Sequence, residues 1–322
     1  MTRFHHKVHA EKQSREMFTE AAIEAAGSVD NGFDLRDADA LYLGYFSSDN
    51  FEKQAHTSAL MADWIGVNPI PTARIEAACA SSGVAMNTGI MAIASGLYDI
   101  VIVGGVEKMR TLGTGDVTNT LAMAADASYE VAMGFTFPGL YAAMTAAHFH
   151  KYGSKWEQLT DIAIKNHENG KLNPKAQYQE TIMDIALKLG ARKGLTFGDE
   201  MDFLRSDLNA MVAEPLRLFD CCPISDGAAT VILASEEVAR KYTDTPVWIA
   251  GMGQASDTMA LHDRDDLTSL KATKLASRQA YDMAGINAGD ISFACVHDCF
   301  TSAEMMATED LGFFKLGEGG KA

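Results

Sequence analysis

Two short stretches carry side chains able to do chemistry together. EAACASSGV, Glu76 to Val84, places Cys79 between a strand-like run and a long helical pattern, and CVHDCF, Cys295 to Phe300, holds two thiols and an imidazole. A cysteine just before or within the first turn of a helix meets unpaired N–H groups and the positive end of the helix dipole, which together favour the thiolate. Its neighbours Ala77, Ala78, Ala80, Ser81, Ser82 and Gly83 are small, so an extended substrate has room to reach the sulfur. Two readings fit that position: a nucleophile for covalent catalysis, or one more small buried residue of the kind most free cysteines are. In an extended segment alternate residues share a face, so Cys295 and His297 point one way, and Cys299 joins them if the extension persists. A zinc site is one reading of that cluster, but it lacks an obvious fourth ligand and makes a poor tetrahedral cage. Two thiols and an imidazole at one cleft suit acyl transfer coupled to proton abstraction.

Positioning these groups requires strands that end in helices, and the hydrophobic pattern supplies them. EKQSREMFTEAAIEAAG reads as a helix ending at Gly27, DADALYLGYF as a strand, and QAHTSALMADWIG as a second helix with Gly66 after its end. A strand near Ala73 to Ala77 precedes Cys79, a helix from about Ala80 to Leu97 follows it, and DIVIVGG then reads as a strand covered on both faces. The helix after Cys79 has no charged residue at all, which predicts burial on every side. From about Thr111 to Leu218 helices dominate: FPGLYAAMTAAHFHKYG has Pro138 in its first turn, and SKWEQLTDIAIKNHENG opens with a Ser154 to Glu157 capping box. The sheet pattern resumes with GAATVILAS and VWIAGMG; a helix, SLKATKLASRQAYDMAG, follows, then the strand DISFACVH and a helix from about Phe300 to Leu311. The repeated strand, helix, strand, helix order on both sides of the insertion suggests a duplicated unit. His148 and His150 read as helix-surface residues, His5, His6 and His9 as part of a frayed start, and Cys221 and Cys222 as packing beside the strand after Ser225.

The 322 residues are long enough for a large core, and 47% hydrophobic with 22% charged residues is an ordinary globular balance. A formal net charge of −16 argues against a nucleic-acid partner held by clustered Lys and Arg. No apolar stretch reaches the ~20 residues of a membrane span, and the start lacks the apolar centre of a signal peptide, so a cytoplasmic protein is expected. Five cysteines, an odd number, suit a reducing compartment and leave thiols available for chemistry.

EAACASSGV, VGGVEKM, PISDGAA and VHDCFTSAE, in that order and spacing, resemble the thiolases, in particular the sterol-carrier-type branch and its archaeal acetyl-CoA acetyltransferase group. TFPGLYA, NPKAQ and GQASDTMALHDR strengthen the likeness, which covers essentially the whole chain. The resemblance implies an α/β thiolase fold: two βα repeats in a layered αβαβα arrangement, with a helical loop domain inserted in the first. On this chain the expected domains are 1–106 plus 219–236 for the first repeat, 107–218 for the insertion and 245–322 for an incomplete second repeat. The resemblance also implies roles. Cys79 matches the nucleophile acylated by an acyl-CoA thioester, His297 the oxyanion-hole histidine for the enolate, and Cys299 the thiol that acts as acid and base. Two acetyl-CoA molecules would give acetoacetyl-CoA and free coenzyme A, or the reverse by thiolysis. No metal and no cofactor is expected beyond the coenzyme A thioesters, and the coenzyme-contacting residues are not legible.

Family members open with an apolar strand that this sequence lacks and continue past GEGGKA into a Gly-His-Pro motif, so the sequence reads as a fragment of a longer frame whose turnover awaits that motif. The family further implies a homodimer or homotetramer, and a 3-hydroxy-3-methylglutaryl-CoA synthase engaged through a small bridging protein, which would place the reaction in the mevalonate pathway. The rival from a different class is a non-catalytic thiolase-like scaffold or acyl-CoA- or lipid-binding module. Retention of Cys79 and Cys299 weighs against it, and the missing Gly-His-Pro motif weighs for it.

Overall fold

A computed structural model describes residues 1–321. In chain order the first elements are α1 (Ser14–Gly27), β1 (Ala40–Gly44), α2 (Ser48–Phe51), α3 (Thr57–Trp64), β2 (Thr72–Ile75), α4 (Ser81–Ala94), β3 (Ile100–Glu107) and α5 (Thr114–Ala122). A helical stretch follows, with α6 (Phe137–Tyr152), α7 (Trp156–Leu172), α8 (Ile182–Lys193) and α9 (Glu200–Arg205), then a small hairpin of β4 (Met211–Ala213) and β5 (Leu216–Arg217). The chain then returns through β6 (Gly227–Ala234) and α10 (Glu236–Tyr242) before α11 (Lys271–Ala284) and α12 (Thr301–Asp310). Two compact units result: Met1–Thr120 with Ile224–Ile249, and Leu121–Pro223 with Ala250–Ala322.

The first unit is built on a four-stranded sheet in the order β2-β1-β3-β6, parallel except for β6, which runs antiparallel to β3. The period of two sorts its side chains. Leu41, Leu43 and Ile102 pack with Met17, Phe18, Ala21 and Ala22 of α1 and Met61 of α3. Ala40, Val101, Val103 and Leu233 pack with Ala85 and Ile90 of α4 on the opposite face. The double-sided burial expected of DIVIVGG is therefore present in β3.

Helix α4 departs from expectation, because only Ser81, Ala85 and Gly89 are fully buried; Met86, Ile90, Ala92 and Ile93 are half-buried, and Ser82, Gly83, Met91 and Ala94 are exposed. Met91 is 52% exposed, and Leu97 just beyond the helix 68%. The chain start departs too. Thr2 donates its N–H to Ala228 O at 2.9 Å, and His9 is buried with Nε2 2.6 Å from Arg3 O, so the start is tied to β6 rather than frayed.

The same corner of the first unit buries an ion pair. Lys108 Nζ lies 3.0 Å from Asp226 Oδ2 and also donates to His9 O, while Asp226 Oδ1 accepts the N–H groups of Met109 and Arg110 at 2.8 and 3.1 Å. The two side chains are 4% and 0% exposed, so removing either leaves the other charge without compensation. Lys108→Met should lower the unfolding free energy by about 3–5 kcal/mol, read from urea titration.

The second unit packs Ala142 of α6, Leu159 and Ile162 of α7, and Phe300, Ala303 and Met305 of the α12 region into one core. VWIAGMG, which begins in the first unit, and DISFACVH of the second were expected as strands and are not, since neither has a ladder partner among the described residues. An apolar alternation becomes a strand only when a neighbour takes up its N–H and C=O groups, and Val247 and Phe293 stay 95% and 85% exposed. Gly251 and Gly253 instead run against α11, where an added Cβ would meet Ala280 O at 2.3 Å and Ala276 O at 1.9 Å. The Ser154 to Glu157 capping box does not form; the cap residue of α7 is Lys155, whose N–H donates to Gln158 Oε1 at 2.8 Å.

Candidate active site

Cys79 belongs to the first unit and sits in a single 3-10 turn, Ala78–Ala80, between β2 and α4. Ala78, just before it, has φ +49°, a left-handed conformation that costs a residue with a Cβ ~1–2 kcal/mol. Local side chains hold it there. Glu76 Oε1 accepts the Ala78 N–H at 2.6 Å, Ser81 Oγ donates to Ala78 O at 2.6 Å, and Ala77 N–H donates to Ser81 Oγ at 3.0 Å.

Two glycines let the turn settle onto the sheet. A Cβ at Gly44, the last residue of β1, would lie 2.5 Å from Ser82 N, and one at Gly105 in β3 would lie 1.9 Å from Ser82 Oγ. The start of α4 thus rests directly on the ends of the two central parallel strands, the end of such sheets where ligands bind.

The electrostatics at the sulfur run against the expectation of a lowered thiol pKa. Cys79 retains open surface, yet enough protein surrounds its sulfur that desolvation pushes the thiol up; its own backbone N–H pulls it down, and Glu107 pushes it further up. Glu107 ends β3, and its Oε2 and Oε1 accept the N–H groups of Phe46 and Ser47 at 3.0 and 3.2 Å. Burial raises this carboxyl to about 7 against those two hydrogen bonds and Arg74, with Glu52 adding to the rise. Arg74 in turn donates to Tyr45 O at 3.0 Å and Phe46 O at 2.7 Å, so the Phe46 peptide is held from both sides. Sequence reading missed Glu107, although an acidic residue closing an apolar strand in VGGVEKM was the signal available.

His297 and Cys299 belong to the second unit, where the segment leading into α12 is pinned at successive residues. Asn166 Nδ2 of α7 donates to Asp298 at 3.0 Å and to Glu304 at 2.7 Å. Cys222 N–H donates to Cys299 O at 3.0 Å, and Cys221 forms an antiparallel bridge with Phe300. Asp220 accepts Thr301 Oγ1 and Trp156 Nε1, both at 3.0 Å, which fixes the first turn of α12. Cys221 and Cys222 therefore brace the catalytic candidate rather than the strand after Ser225. Dehydration around Cys221 and the nearby Asp220 push its thiol up to about 12, so it stays protonated and unreactive.

His297 keeps open surface, yet enough protein surrounds the ring that desolvation lowers its pKa against a smaller upward pull from Asp298, which favours the neutral ring with one N–H to donate. Cys299 is half-buried and Cys295 exposed. Lys165 and Asn166 engage the buried Glu304, a charged residue at a helix start that sequence reading passed over. His148 also corrects an expectation. It lies in the buried stripe of α6 with Leu140, Met144 and Thr145, and its Nε2 meets Glu309 at 3.2 Å, whereas His150 is exposed as expected.

With this geometry in place, the comparisons with known proteins fall into line. A family profile described as thiolase, N-terminal domain, matches residues 1–237, and one described as thiolase C-terminal domain-like matches 253–322. An acetyl-CoA acetyltransferase of Methanothermobacter thermautotrophicus is 47% identical over 308 residues, 96% of this chain and 74% of that protein. One of Methanocaldococcus jannaschii is 40% identical over 314 residues, 97% and 74% of the two chains. Among solved structures, the Ltp2-ChsH2(DUF35) aldolase superposes with a TM-score of 0.79 over 99% of this chain and 77% of that one, at 23% identity, a likeness of fold. A sheet that ends under a cysteine turn, a braced His-Asp-Cys segment and profile matches across nearly the whole sequence have one common account: the chain belongs to the thiolase family.

Proposed function

We propose that this protein is an acetyl-CoA C-acetyltransferase, condensing two acetyl-CoA into acetoacetyl-CoA and coenzyme A or running the reverse thiolysis. The 47% identity to a protein of that name across 96% of the chain carries the reading. Cys79 Sγ attacks the thioester carbonyl of the first acetyl-CoA; the bond from that carbon to the coenzyme sulfur breaks, and coenzyme A leaves with the thiol proton. Splitting the reaction through an acyl-cysteine replaces one hard step by two easier ones. Cys299, as thiolate, takes a proton from the methyl carbon of the second acetyl-CoA, and the neutral His297 donates a hydrogen bond to the enolate oxygen. A donor placed where charge develops lowers the barrier by ~3 kcal/mol in comparable sites. The enolate carbon then bonds to the acetyl carbon, the bond to Cys79 Sγ breaks, and the proton that Cys299 took from the methyl carbon passes to the Cys79 sulfur, which returns both thiols to their starting states.

The Cys79 thiol, pushed up by burial, holds in the resting state the proton that coenzyme A takes with it on leaving. The reaction as written uses no bound cofactor or metal. We further assign the protein to the cytoplasm; no helix among the described residues is long and apolar enough to cross a membrane. A homodimer or homotetramer is supported by the open, uncharged faces of α4, where Met91 leaves an apolar surface that water penalises. Delivery of acetoacetyl-CoA to a 3-hydroxy-3-methylglutaryl-CoA synthase through a bridging protein, in the mevalonate pathway, completes the assignment.

Incubation with acetyl-CoA followed by intact mass measurement tests the reading. One acetyl group should appear on the protein and be absent from Cys79→Ser. An unmodified wild-type chain that still binds acyl-CoA would support the scaffold reading instead.

A further inference from the structure

Nothing in the proposed cycle uses Glu107, which closes β3 beside the Cys79 turn and holds two backbone N–H groups. It closes β3 two residues after Gly105, the position on which Ser82 rests. Its carboxylate oxygens hold the N–H groups of Phe46 and Ser47, the peptides that continue β1 beyond Gly44. The charged and titratable groups facing it are Arg74 from β2, Glu52 beyond α2, and the Cys79 thiol from the 3-10 turn. Tyr45 closes the set, with its hydroxyl donating to Glu52 at 2.5 Å and its own phenol pushed up by burial and by both carboxylates.

We propose that Glu107 is a positioning residue for the Cys79 nucleophile: its carboxyl group fixes the Phe46–Ser47 peptides beside the strand ends that carry the turn, and its negative charge opposes a second one on the Cys79 sulfur. The inference rests on Cys79 as the nucleophile. Two acidic groups in one dehydrated region titrate as a pair, so ionisation of one makes the other harder. Arg74, the cation that faces Glu107, is already committed to Asp49, Tyr45 O and Phe46 O, so the region accommodates one negative charge more readily than two. Because Glu107 loses its proton near pH 7, the thiol becomes harder to ionise just where the resting enzyme works. Glu107 therefore keeps the sulfur protonated between turnovers, guarding it against oxidants and alkylators that attack the thiolate. The acyl-enzyme carries no charge on sulfur, so the opposition disappears once the acetyl group is in place.

Iodoacetamide alkylation of Cys79, followed by peptide mass spectrometry from pH 5.5 to 9.5, tests this in the full chain and in Glu107→Gln. The glutamine keeps the side-chain length and one acceptor for the Phe46 or Ser47 N–H. The two rates should coincide near pH 6, where both side chains are neutral, and separate above pH 7, with the variant reacting roughly 3- to 10-fold faster by pH 8.5, a shift of up to about one pKa unit. Glu107→Asp, still charged, should retain the suppressed rate. Superimposable profiles for wild type and Glu107→Gln across the whole range would overturn the proposal. If Glu107→Gln fails to fold by circular dichroism, the wild-type profile decides: an inflection near pH 7 on the rising limb supports the coupling, and a single smooth titration refutes it. Acetylation of Cys79 by acetyl-CoA is scored separately. A wild-type chain that takes no acetyl group but shows the divergent alkylation profiles would sink the nucleophile reading and leave the coupling standing.

Discussion

Gly44→Ala should reduce acetyl transfer to Cys79 by roughly 10²-fold or more while leaving most of the fold intact, since a misplacement of ~1 Å at a reacting group costs about that much. The added methyl group would sit 2.5 Å from Ser82 N and 2.6 Å from Ser82 Cα, distances that no real Cβ tolerates and that involve backbone rather than a movable side-chain tip. The strand has no freedom to retreat, because Gly44 is paired with Ile75 on one side and Gly105 on the other. Helix α4 must therefore rise off the sheet at its first turn, carrying Cys79 with it. The far end of α4 stays held by Val101, Val103 and Leu233, so the helix tilts rather than detaches. Overpacking of this kind costs about 1–3 kcal/mol, small against the loss in rate. Gly89→Ala provides the contrast. Its Cβ would meet side-chain methyls of Val103 and Leu233 at 2.7 and 2.9 Å, atoms able to rotate away, and it sits two turns from Cys79. Acetylation rates by quenched-flow mass spectrometry, with thermal melts of all three proteins, check the pair: equal losses for Gly44→Ala and Gly89→Ala would remove the positional argument.

The elements of the first unit were legible because their periodicity and punctuation agree. Gly27 and Gly66 end helical patterns, and β1 and β3 are apolar runs of strand length. What escaped detection depends on where a face points after folding. The helix after Cys79 has no charge, and lack of charge says only that water is not required around it; Ser81, Ala85 and Gly89 are fully buried and the rest half-buried or exposed. His148 looked like a surface residue because histidine is common there, but it lies one turn beyond Met144 and Thr145 and so shares their buried stripe. The extended reading of VWIAGMG and DISFACVH was sound as a pattern of side chains, and a strand also needs a partner, which the pattern of one segment does not contain.

The candidate site was legible in part for a similar reason. Cys79, His297 and Cys299 were visible because their types are rare and their neighbours small or apolar. Their supports were not, since Glu107, Asp220, Asn166 and Glu304 are ordinary polar residues whose work appears only once N–H groups from distant segments are seen to converge on them. The direction of the Cys79 shift was misjudged for the same cause. A helix start favours the thiolate, but desolvation and a carboxylate 28 positions along the chain outweigh it, and neither is local.

Cys299→Ala should then separate the two halves of the reaction. General acid–base catalysis by one positioned group contributes about 10²–10⁴-fold, so formation of acetoacetyl-CoA should fall by roughly 10³-fold. Acetylation of Cys79 should persist, because that step removes no carbon-bound proton. The substitution is structurally mild: Cys299 contributes its carbonyl to Cys222 N, which alanine retains, and the flanking Phe300 and Thr301 stay fixed by Tyr141, with ring centroids 4.7 Å apart, and by Asp220. His297→Ala should differ in kind. It removes the group proposed as enolate donor, and because the lowered pKa of that ring favours its neutral form, its contribution should stay flat from pH 7 to 9 rather than titrate away. Deuterium exchange into the methyl group of acetyl-CoA distinguishes the roles. Exchange should vanish in Cys299→Ala, and persist only at a strongly reduced rate in His297→Ala, where the base remains but the enolate is poorly held. Full exchange in Cys299→Ala would reassign the proton abstraction to another group.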